Sequence, residues 1–285
     1  MVTGYALLDV GGGARLERFA ERITDRPHPA ALGPRADPAA WAAADLRYDR
    51  ERGWTGAASA RVPWPLTIDG VTLELRPTEA GQVGVFPEHV EMLPWLTDRV
   101  VTRVASAGAK APAQVPAVLH LFAYTGLATL AMAAAGAAVA HVDASRPTVA
   151  WARRNAERSG LADRPVRWIV DDAVAFTRRE FSRGRRNAGI VLDPPSYGHA
   201  PGSRAWRIEQ DLDGLLGAAA RLLEPDGFAL LTAHTVGFDA DRLAEVLARA
   251  LGRPAGAVEA GELEITTADG RRLGLGAFAR SSGGA

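Results

Sequence analysis

Cysteine is absent from this 285-residue chain, and Lys110 is its only lysine. The lack of cysteine excludes disulfides, zinc–thiolate sites and a cysteine nucleophile. Basic and acidic residues number 33 each, so the net charge is zero, which argues against a protein that coats nucleic acid. No apolar run reaches the ~18 residues of a membrane span, and the N-terminus MVTGYALLDVGGG lacks the basic and apolar segments of a signal peptide. We therefore expect a cytoplasmic protein without membrane contact.

The stretch Leu119–Asp143 predicts a strand, a tight turn, a helix and a second strand that ends in an acid. Its parts are an apolar run at 117–122, a turn at 123–126, a helix at 127–135 and a second apolar run at 137–142. Gly126 would let the backbone approach a ligand closely, and Asp143 could accept hydrogen bonds from a ribose diol. This pattern indicates a nucleoside-containing cofactor at the carboxyl ends of parallel strands.

The glycine pattern of the turn narrows the choice of cofactor. Tyr124 and Ala128 occupy positions where the dinucleotide motif G-x-G-x-x-G would have glycines, and the chain has no G-x-x-x-x-G-K-[ST] phosphate loop. A turn with one glycine suits a nucleoside without phosphates, of which S-adenosylmethionine (SAM) is the common case. The alternative is an ordinary strand–helix–strand unit with an acid at a strand end.

The chain before this stretch predicts a smaller, β-rich domain. An apolar strand at 5–10 is followed by three glycines and a segment that could pair back as a hairpin, and alternating residues flank Asp69-Gly70, a type I′ turn signal. A helix is predicted from Glu88 to about Ser106, with a linker at 107–116. We accordingly predict a substrate or lid domain at 1–105 and a SAM-binding domain at 106–285.

Strands and helices alternate after Asp143. Ser145 can cap a helix that reaches Gly160, strands follow at 166–170 and 188–192, and the tail predicts an antiparallel hairpin around Asp269-Gly270. This α/β order, with a terminal antiparallel hairpin, is typical of the Rossmann-like, seven-stranded sheet of class I methyltransferases.

Asp193-Pro194-Pro195 follows the fourth predicted strand, at the same sheet edge as Gly126 and Asp143. Two prolines stiffen this loop and remove two backbone donors, so carbonyl oxygens and the Asp193 carboxylate are left as acceptors for a substrate N–H. Tyr197 could stack on a planar base. His234, after the fifth strand, is either a base or substrate contact or a hydrogen-bonded histidine at a strand end.

The segments LFAYTG, HVDAS, WARRNAERSGL, RWIVDDA and DPPSYG resemble SAM-dependent methyltransferases related to the bacterial large-subunit rRNA methyltransferases that modify cytosine C5 or guanine N7. GQVGVFPEH resembles the N-terminal part of a bacterial subgroup. The resemblance implies that Phe86 and Pro87 reach over the cofactor, and that the acceptor side holds Asp193, Pro194, Tyr197 and His234. It implies that SAM lies against Phe122, Tyr124, Thr125, Gly126, Asp143, Ala144, Ser145, Asp171, Asp172, Ala173 and Asp193.

Two departures from that family bear on the reaction. The N-terminal part leaves no room for the RNA-binding PUA module that many relatives carry. Cytosine C5 methylation in related enzymes uses a cysteine adduct, so without cysteine we predict a nitrogen of an RNA base as the acceptor. Alternatives are a SAM-dependent enzyme that acts on a small molecule in secondary metabolism, by methyl transfer or another use of SAM, and an inactive SAM-binding protein. No metal site is predicted, and nothing indicates an oligomeric state.

Overall fold

A computed structural model describes residues 4–108, 115–198 and 205–283 of the chain. The structure divides into two compact units. The first takes in the chain up to Val90 together with Glu264–Leu275, and the second runs from Glu91 to Leu263 and resumes at Gly276. The division falls after Val90 rather than at residue 105, because the helix Leu93–Gly108 packs Leu96 and Val100 into a core of the second unit.

The first unit is built almost entirely from strands. Five strands form a sheet in sequential order: β1 (Tyr5–Gly11), β2 (Ala14–Phe19), β3 (Arg22–Pro27), β4 (Leu46–Asp49) and β5 (Gly53–Gly56). A short helix, α1 (Pro38–Ala42), and 3-10 turns at Ala58–Arg61 and Pro87–Met92 accompany them. A separate two-stranded sheet consists of β6 (Trp64–Ile68) and β7 (Val71–Leu75). The predicted β-rich N-terminal part is confirmed.

The two predicted N-terminal hairpins are present. β1 and β2 pair antiparallel, with Gly11 opposite Ala14, so the glycine run is a hairpin turn. Between β6 and β7, Asp69 and Gly70 have φ of 46° and 81°. Positive φ at both central residues is the signature of the predicted type I′ turn, whose twist matches that of the flanking strands.

The buried carboxylate of Asp9 connects several segments of this unit through hydrogen bonds and an ion pair. Asp9 on β1 is 1% exposed and accepts from the indole Nε1 of Trp41 at 2.6 Å and from the backbone N–H groups of Val10, Ala36 and Asp37. Arg271 pairs with it at 2.6 Å. Burial alone would raise the pKa of Asp9, but these donors stabilise the ionised form and lower its pKa to about 2.

The second unit carries a seven-stranded sheet. Its strands are β8 (Ala117–Leu121), β9 (Ala138–Asp143), β10 (Val166–Val170), β11 (Asn187–Leu192), β14 (Leu223–Ala233), β15 (Glu259–Thr266) and β16 (Arg272–Ser281), the last two crossing the division between the units. The strand order is β10-β9-β8-β11-β14-β16-β15, parallel except for β16 against β14 and with β15 at the edge. A small ladder of β12 (Tyr197–Gly198) and β13 (Trp206–Arg207) stands apart. The predicted class I sheet is confirmed.

Helices pack buried apolar residues against the sheet. They are α2 (Leu93–Gly108), α3 (Leu127–Ala134), α4 (Arg146–Arg158), α5 (Ala173–Ser182), α6 (Ile208–Ala220) and α7 (Ala240–Leu251), with a 3-10 turn at Ala255–Ala257. Side chains of Ser145, Asp172 and Asp239 cap the N-termini of α4, α5 and α7. Within the described ranges, no helix is both long enough and apolar enough to cross a membrane.

Candidate functional site

The predicted site residues of the second unit meet at one edge of the sheet. Five adjacent strands end at this edge. The segments there are the turn after β8, the tip of β9, the start of α5 after β10, the loop after β11 and the segment after β14. The order reverses at β8, because β9 and β10 lie on one side of it and β11 and β14 on the other. Ligands of open parallel sheets bind at such a reversal, outside the carboxyl ends of the strands.

The turn after β8 is held in an uncommon backbone conformation. Phe122 and Tyr124 have φ of 55° and 48°, in the left-handed region that side chains other than glycine rarely adopt. Conformations of this kind cost roughly 1–3 kcal/mol each and persist only where the surroundings impose them.

Hydrogen bonds to neighbouring elements impose this conformation. The N–H of Ala123 donates to the Val142 carbonyl at 3.1 Å, and the N–H of Tyr124 donates to Oδ2 of Asp143 at 3.0 Å. The buried side chain of Asn155 on α4 donates to the Thr125 carbonyl at 2.9 Å. The shape of the turn is therefore set by β9 and α4.

Gly126 has a structural reason of its own, while the predicted close approach of a ligand there stays a prediction. Its φ is 91°, and a Cβ at this position would lie 3.2 Å from Cβ of Ala152 and 3.7 Å from Cε1 of His141. The missing side chain thus makes room for helix α4 and for a buried ring beneath the turn.

Asp143 joins the turn to the start of α4. Its Oδ1 accepts from the N–H of Ser145 at 2.9 Å, while Oδ2 accepts from Tyr124. Burial raises the pKa of Asp143, and the two backbone donors oppose this shift by stabilising the carboxylate. Each oxygen accepts one N–H, and a carboxylate oxygen has a second lone pair with which it can accept from a further donor.

The other predicted cofactor residues at this edge also have structural roles. Ala144 is exposed beside Ser145, whose hydroxyl caps α4. Asp171 forms an ion pair with Arg179, and Asp172 accepts from the N–H of Ala175 at 2.8 Å as the cap of α5. Ala173 is buried as the first residue of that helix.

In the loop after β11, the carboxylate of Asp193 is held by residues on and just after β14. Oδ1 of Asp193 accepts from the hydroxyl of Thr232 at 2.7 Å and lies 3.3 Å from Nε2 of His234. The structure thus brings Asp193 and His234 into contact, which agrees with both sequence-based interpretations of that histidine. Pro194, the next residue, is buried.

The rest of this loop is fixed on both sides. The Pro195 carbonyl accepts from Nε1 of Trp206 at 2.7 Å, and the hydroxyls of Ser196 and Thr235 lie 2.6 Å apart. Tyr197 is 58% exposed, and the guanidinium of Arg207, its partner in the small ladder, lies 5.8 Å from its ring centroid.

Phe86 and Pro87 belong to the first unit. Pro87 opens the 3-10 turn Pro87–Met92, and the ring centroids of Phe86 and His89 lie 5.6 Å apart. Their predicted reach over the cofactor stays a prediction.

Sequence reasoning missed the residues that support the turn and the loop. Asn155 and Thr232 are examples, and so are His120, Thr129 and His141, which form a buried polar chain beneath the turn. A signal was available, since the two histidines interrupt the apolar strands AVLHL and AVAHVD. Thr129, the residue on α3 that contacts both histidines, has no comparable signal in the sequence.

The chemistry of this edge fits a cationic nucleoside. Four carboxylates lie at the ends of three of its strands, those of Asp143, Asp171, Asp172 and Asp193, and the turn 122–126 contains no arginine or lysine. Acidic surroundings disfavour phosphates and favour both ribose hydroxyls and a positive charge. A sulfonium on a nucleoside combines those two features.

Comparisons with known proteins agree with this chemistry. A SAM-dependent methyltransferase from Agrobacterium tumefaciens is 34% identical, with a TM-score of 0.89 over 99% of this chain and 91% of that one. A structure from Streptococcus mutans, described as that of a SAM-dependent methyltransferase, shares the fold at 14% identity and a TM-score of 0.73. No protein-family model matches.

Curated relatives match part of this chain. Ribosomal RNA large subunit methyltransferase K/L of Magnetococcus marinus is 31% identical over 164 residues, 55% of this chain. Methyltransferase K of Neisseria meningitidis serogroup B is 33% identical over 127 residues, 44% of this chain. The matches span only 20% and 36% of those two proteins. The chain belongs to the SAM-dependent methyltransferases, and SAM is its cofactor.

Proposed function

We propose that this enzyme transfers the methyl group of SAM to a nitrogen of an RNA base. The curated relatives named above are ribosomal RNA methyltransferases, and their similarity supports RNA as the substrate class. The absence of cysteine supports nitrogen as the atom that accepts the methyl group, because a base nitrogen is nucleophilic without a covalent cysteine adduct. The reaction would take place in the cytoplasm, where RNA is available.

The observation that carries the proposal is the orientation of Asp193. Its carboxylate follows β11, is fixed through Oδ1 by Thr232 and approached by His234, and belongs to a loop whose next two residues have no N–H. A fixed acceptor of this kind can hold the N–H of a base so that the nitrogen lone pair is aligned for in-line attack. Alignment is a large part of catalysis in a displacement at carbon.

In this proposal the cofactor is held by the turn after β8 and by the tips of β9 and β10. Asp143 would accept from the ribose hydroxyls, and Asp172 with Ala173 would border the adenine. SAM supplies an electrophilic methyl group on sulfur. When bound, SAM would supply the methyl group and its sulfur would keep the electrons of the broken bond, and Asp193 or His234 would take the proton that the nitrogen releases.

An exposed aromatic residue next to the acceptor loop supports a base as substrate. Tyr197 presents 58% of its surface to solvent four residues after Asp193, and Arg207 lies beside its ring. Aromatic rings stack on unpaired bases, and an adjacent arginine can contact the phosphate backbone. Tyr197 and Arg207 thus form a platform suited to a nucleotide in single-stranded RNA.

The test is incubation of the pure protein with methyl-labelled SAM and either total bacterial RNA or a small-metabolite extract, with the Asp193→Asn variant in parallel. We expect label in RNA, and digestion should locate it on a base nitrogen. Label only in the small-molecule fraction would instead support the alternative that the zero net charge favours. Consumption of SAM without labelling any acceptor would overturn methyl transfer itself.

A further inference from the structure

The segment between β14 and α7 forms a tight turn with an exposed valine at its tip. The N–H of Phe238 donates to the Thr235 carbonyl at 3.0 Å, which closes a four-residue turn over residues 235–238. Gly237, the third residue of the turn, has a φ of 84°, as a type II turn requires at that position. Val236 is the second residue, and it is 98% exposed, the highest value among the large apolar residues that the structure describes as exposed.

Contacts on both sides hold this turn. Phe238 is 4% exposed and belongs to the core of the second unit. The guanidinium of Arg242 on α7 lies 4.0 Å from the ring centroid of Phe238, and its Nη1 donates to the Gly237 carbonyl at 3.1 Å. At the other end, the hydroxyl of Thr235 lies 2.6 Å from that of Ser196. The direction in which the tip projects is therefore set by α7 and by the loop after β11.

The turn begins directly beside the Asp193 carboxylate. Nε2 of His234, the residue before Thr235, lies 3.3 Å from Oδ1 of Asp193. The hydroxyl contact between Thr235 and Ser196 is a second link between the same two segments. The two consecutive residues that precede Val236 thus both contact the loop after β11.

Two exposed side chains flank the hydroxyl pair of Ser196 and Thr235. Tyr197 follows the first of these residues and is 58% exposed, while Val236 follows the second. Single exposed apolar residues are common on protein surfaces. Val236 differs from such residues in its position, because it projects from a turn that is anchored to the acceptor loop.

We propose that Val236 packs against the RNA base that accepts the methyl group, as a second apolar contact beside Tyr197. The inference rests on the proposed function, because a base offers the flat apolar face that a valine can cover. Burial of methyl groups is favourable and requires no hydrogen bond, so this contact adds affinity for RNA without selecting among the bases. The choice of the reacting nitrogen remains with Asp193.

The experiment measures methyl transfer to total bacterial RNA at saturating SAM, with variants of the full chain. Val236→Ala should raise the apparent KM for RNA about three- to tenfold, the range expected when two methyl groups lose a partly buried contact, and change kcat less than twofold. Val236→Thr keeps the branched shape but replaces one methyl by a hydroxyl, so it should raise this KM as well. Val236→Ile should keep the wild-type KM.

Val101→Ala is the matched control. Val101 is also an exposed valine, at 53%, but it lies on α2, outside the segments that meet at the Asp193 edge of the sheet. This variant should have the wild-type KM for RNA. Urea unfolding of Val236→Ala should match the wild type, because the side chain is exposed, so that a change in KM reports contact with RNA.

The outcomes separate this contact from the proposed function. A wild-type KM for RNA in Val236→Ala, an equal rise in Val101→Ala, or a loss of stability that accounts for the rise would overturn the contact. Absence of label in RNA with the wild-type protein would instead overturn the proposed function, and this inference with it. The two failures are therefore distinguishable.

Discussion

The backbone N–H of Tyr124 donates to Oδ2 of Asp143 at 3.0 Å, so one carboxylate joins the turn after β8 to the tip of β9. Its other oxygen holds the N–H of Ser145 at the start of α4. The residue proposed to bind the ribose is thus also the residue that holds three elements of the site in place.

Replacement of Asp143 by alanine should weaken SAM binding more than tenfold. It removes a charge-assisted acceptor worth ~1.5–3 kcal/mol and releases the N–H of Tyr124. Isothermal calorimetry measures the change. Asp163→Ala, at an exposed turn outside the site, should bind SAM like the wild type. Equal affinity in the two variants would remove Asp143 from the cofactor site.

Asp193→Asn should separate binding from turnover. The amide keeps an oxygen for the hydroxyl of Thr232 but loses the negative charge, so we expect SAM affinity within about twofold and a fall in kcat of ~100-fold or more. Radiolabel transfer under saturating SAM is the measurement. Asp213→Asn alters an exposed acid on α6 that pairs with Arg249 and should leave kcat unchanged. Wild-type turnover in Asp193→Asn would contradict the acceptor assignment.

Tyr197→Ala should raise the KM for RNA at least about fivefold and leave the KM for SAM unchanged, since stacking on one base contributes ~1–3 kcal/mol. Phe181 offers a matched control. It is 38% exposed and has the guanidinium of Arg221 3.8 Å from its ring, but it lies at the end of α5, away from the carboxyl ends of the strands. If Phe181→Ala weakened RNA binding equally, stacking at Tyr197 would not be specific to the site.

Gly126→Ala should destabilise the protein more than Gly160→Ala. Both glycines have positive φ, 91° and 66°, and each substitution costs ~1–2 kcal/mol for that reason. Only at Gly126 would the new Cβ meet another atom closely, at 3.2 Å from Ala152, whereas at Gly160 nothing lies within 4 Å. Urea unfolding of the two variants measures the difference. Equal losses of unfolding free energy in the two variants would show that helix α4 shifts to accommodate the new Cβ without a measurable loss of stability.

Asp9→Asn should destabilise the protein near pH 7 and have progressively less effect in acid. The folded pKa of about 2 lies below the ordinary 3.8, so the ionised carboxylate stabilises the fold above pH 4. This contribution, ~2 kcal/mol at ~1.4 kcal/mol for each pH unit, is lost as the pH falls through about 2. Urea unfolding across this pH range is the measurement.

The control for Asp9 is Asp269→Asn. Asp269 is the exposed partner of the same guanidinium, Arg271, at 2.9 Å, so its substitution alters the ion pair without changing a buried acceptor. We expect a small effect in this variant. A loss in Asp9→Asn that did not depend on pH would contradict the depressed pKa.

Much of this protein could be predicted from its sequence, because the decisive signals are local. The alternation of apolar strands with capped helices, the type I′ signal at Asp69-Gly70 and the acids at strand ends are properties of short segments. Parallel strands bring their carboxyl ends to one edge, so a linear order of motifs is enough to place Asp143, Asp172 and Asp193 together.

The remaining features depend on contacts between distant segments, which only the tertiary structure could decide. The helix Leu93–Gly108 joins the second unit because its apolar face fits that core, and Gly126 is required because α4 packs against it. The contact of Thr232 with Asp193 joins residues 39 apart, and that of Thr129 with His141 joins a helix to a strand. Packing and hydrogen-bond geometry between residues far apart in the sequence are set by the whole fold, so local sequence patterns cannot predict them.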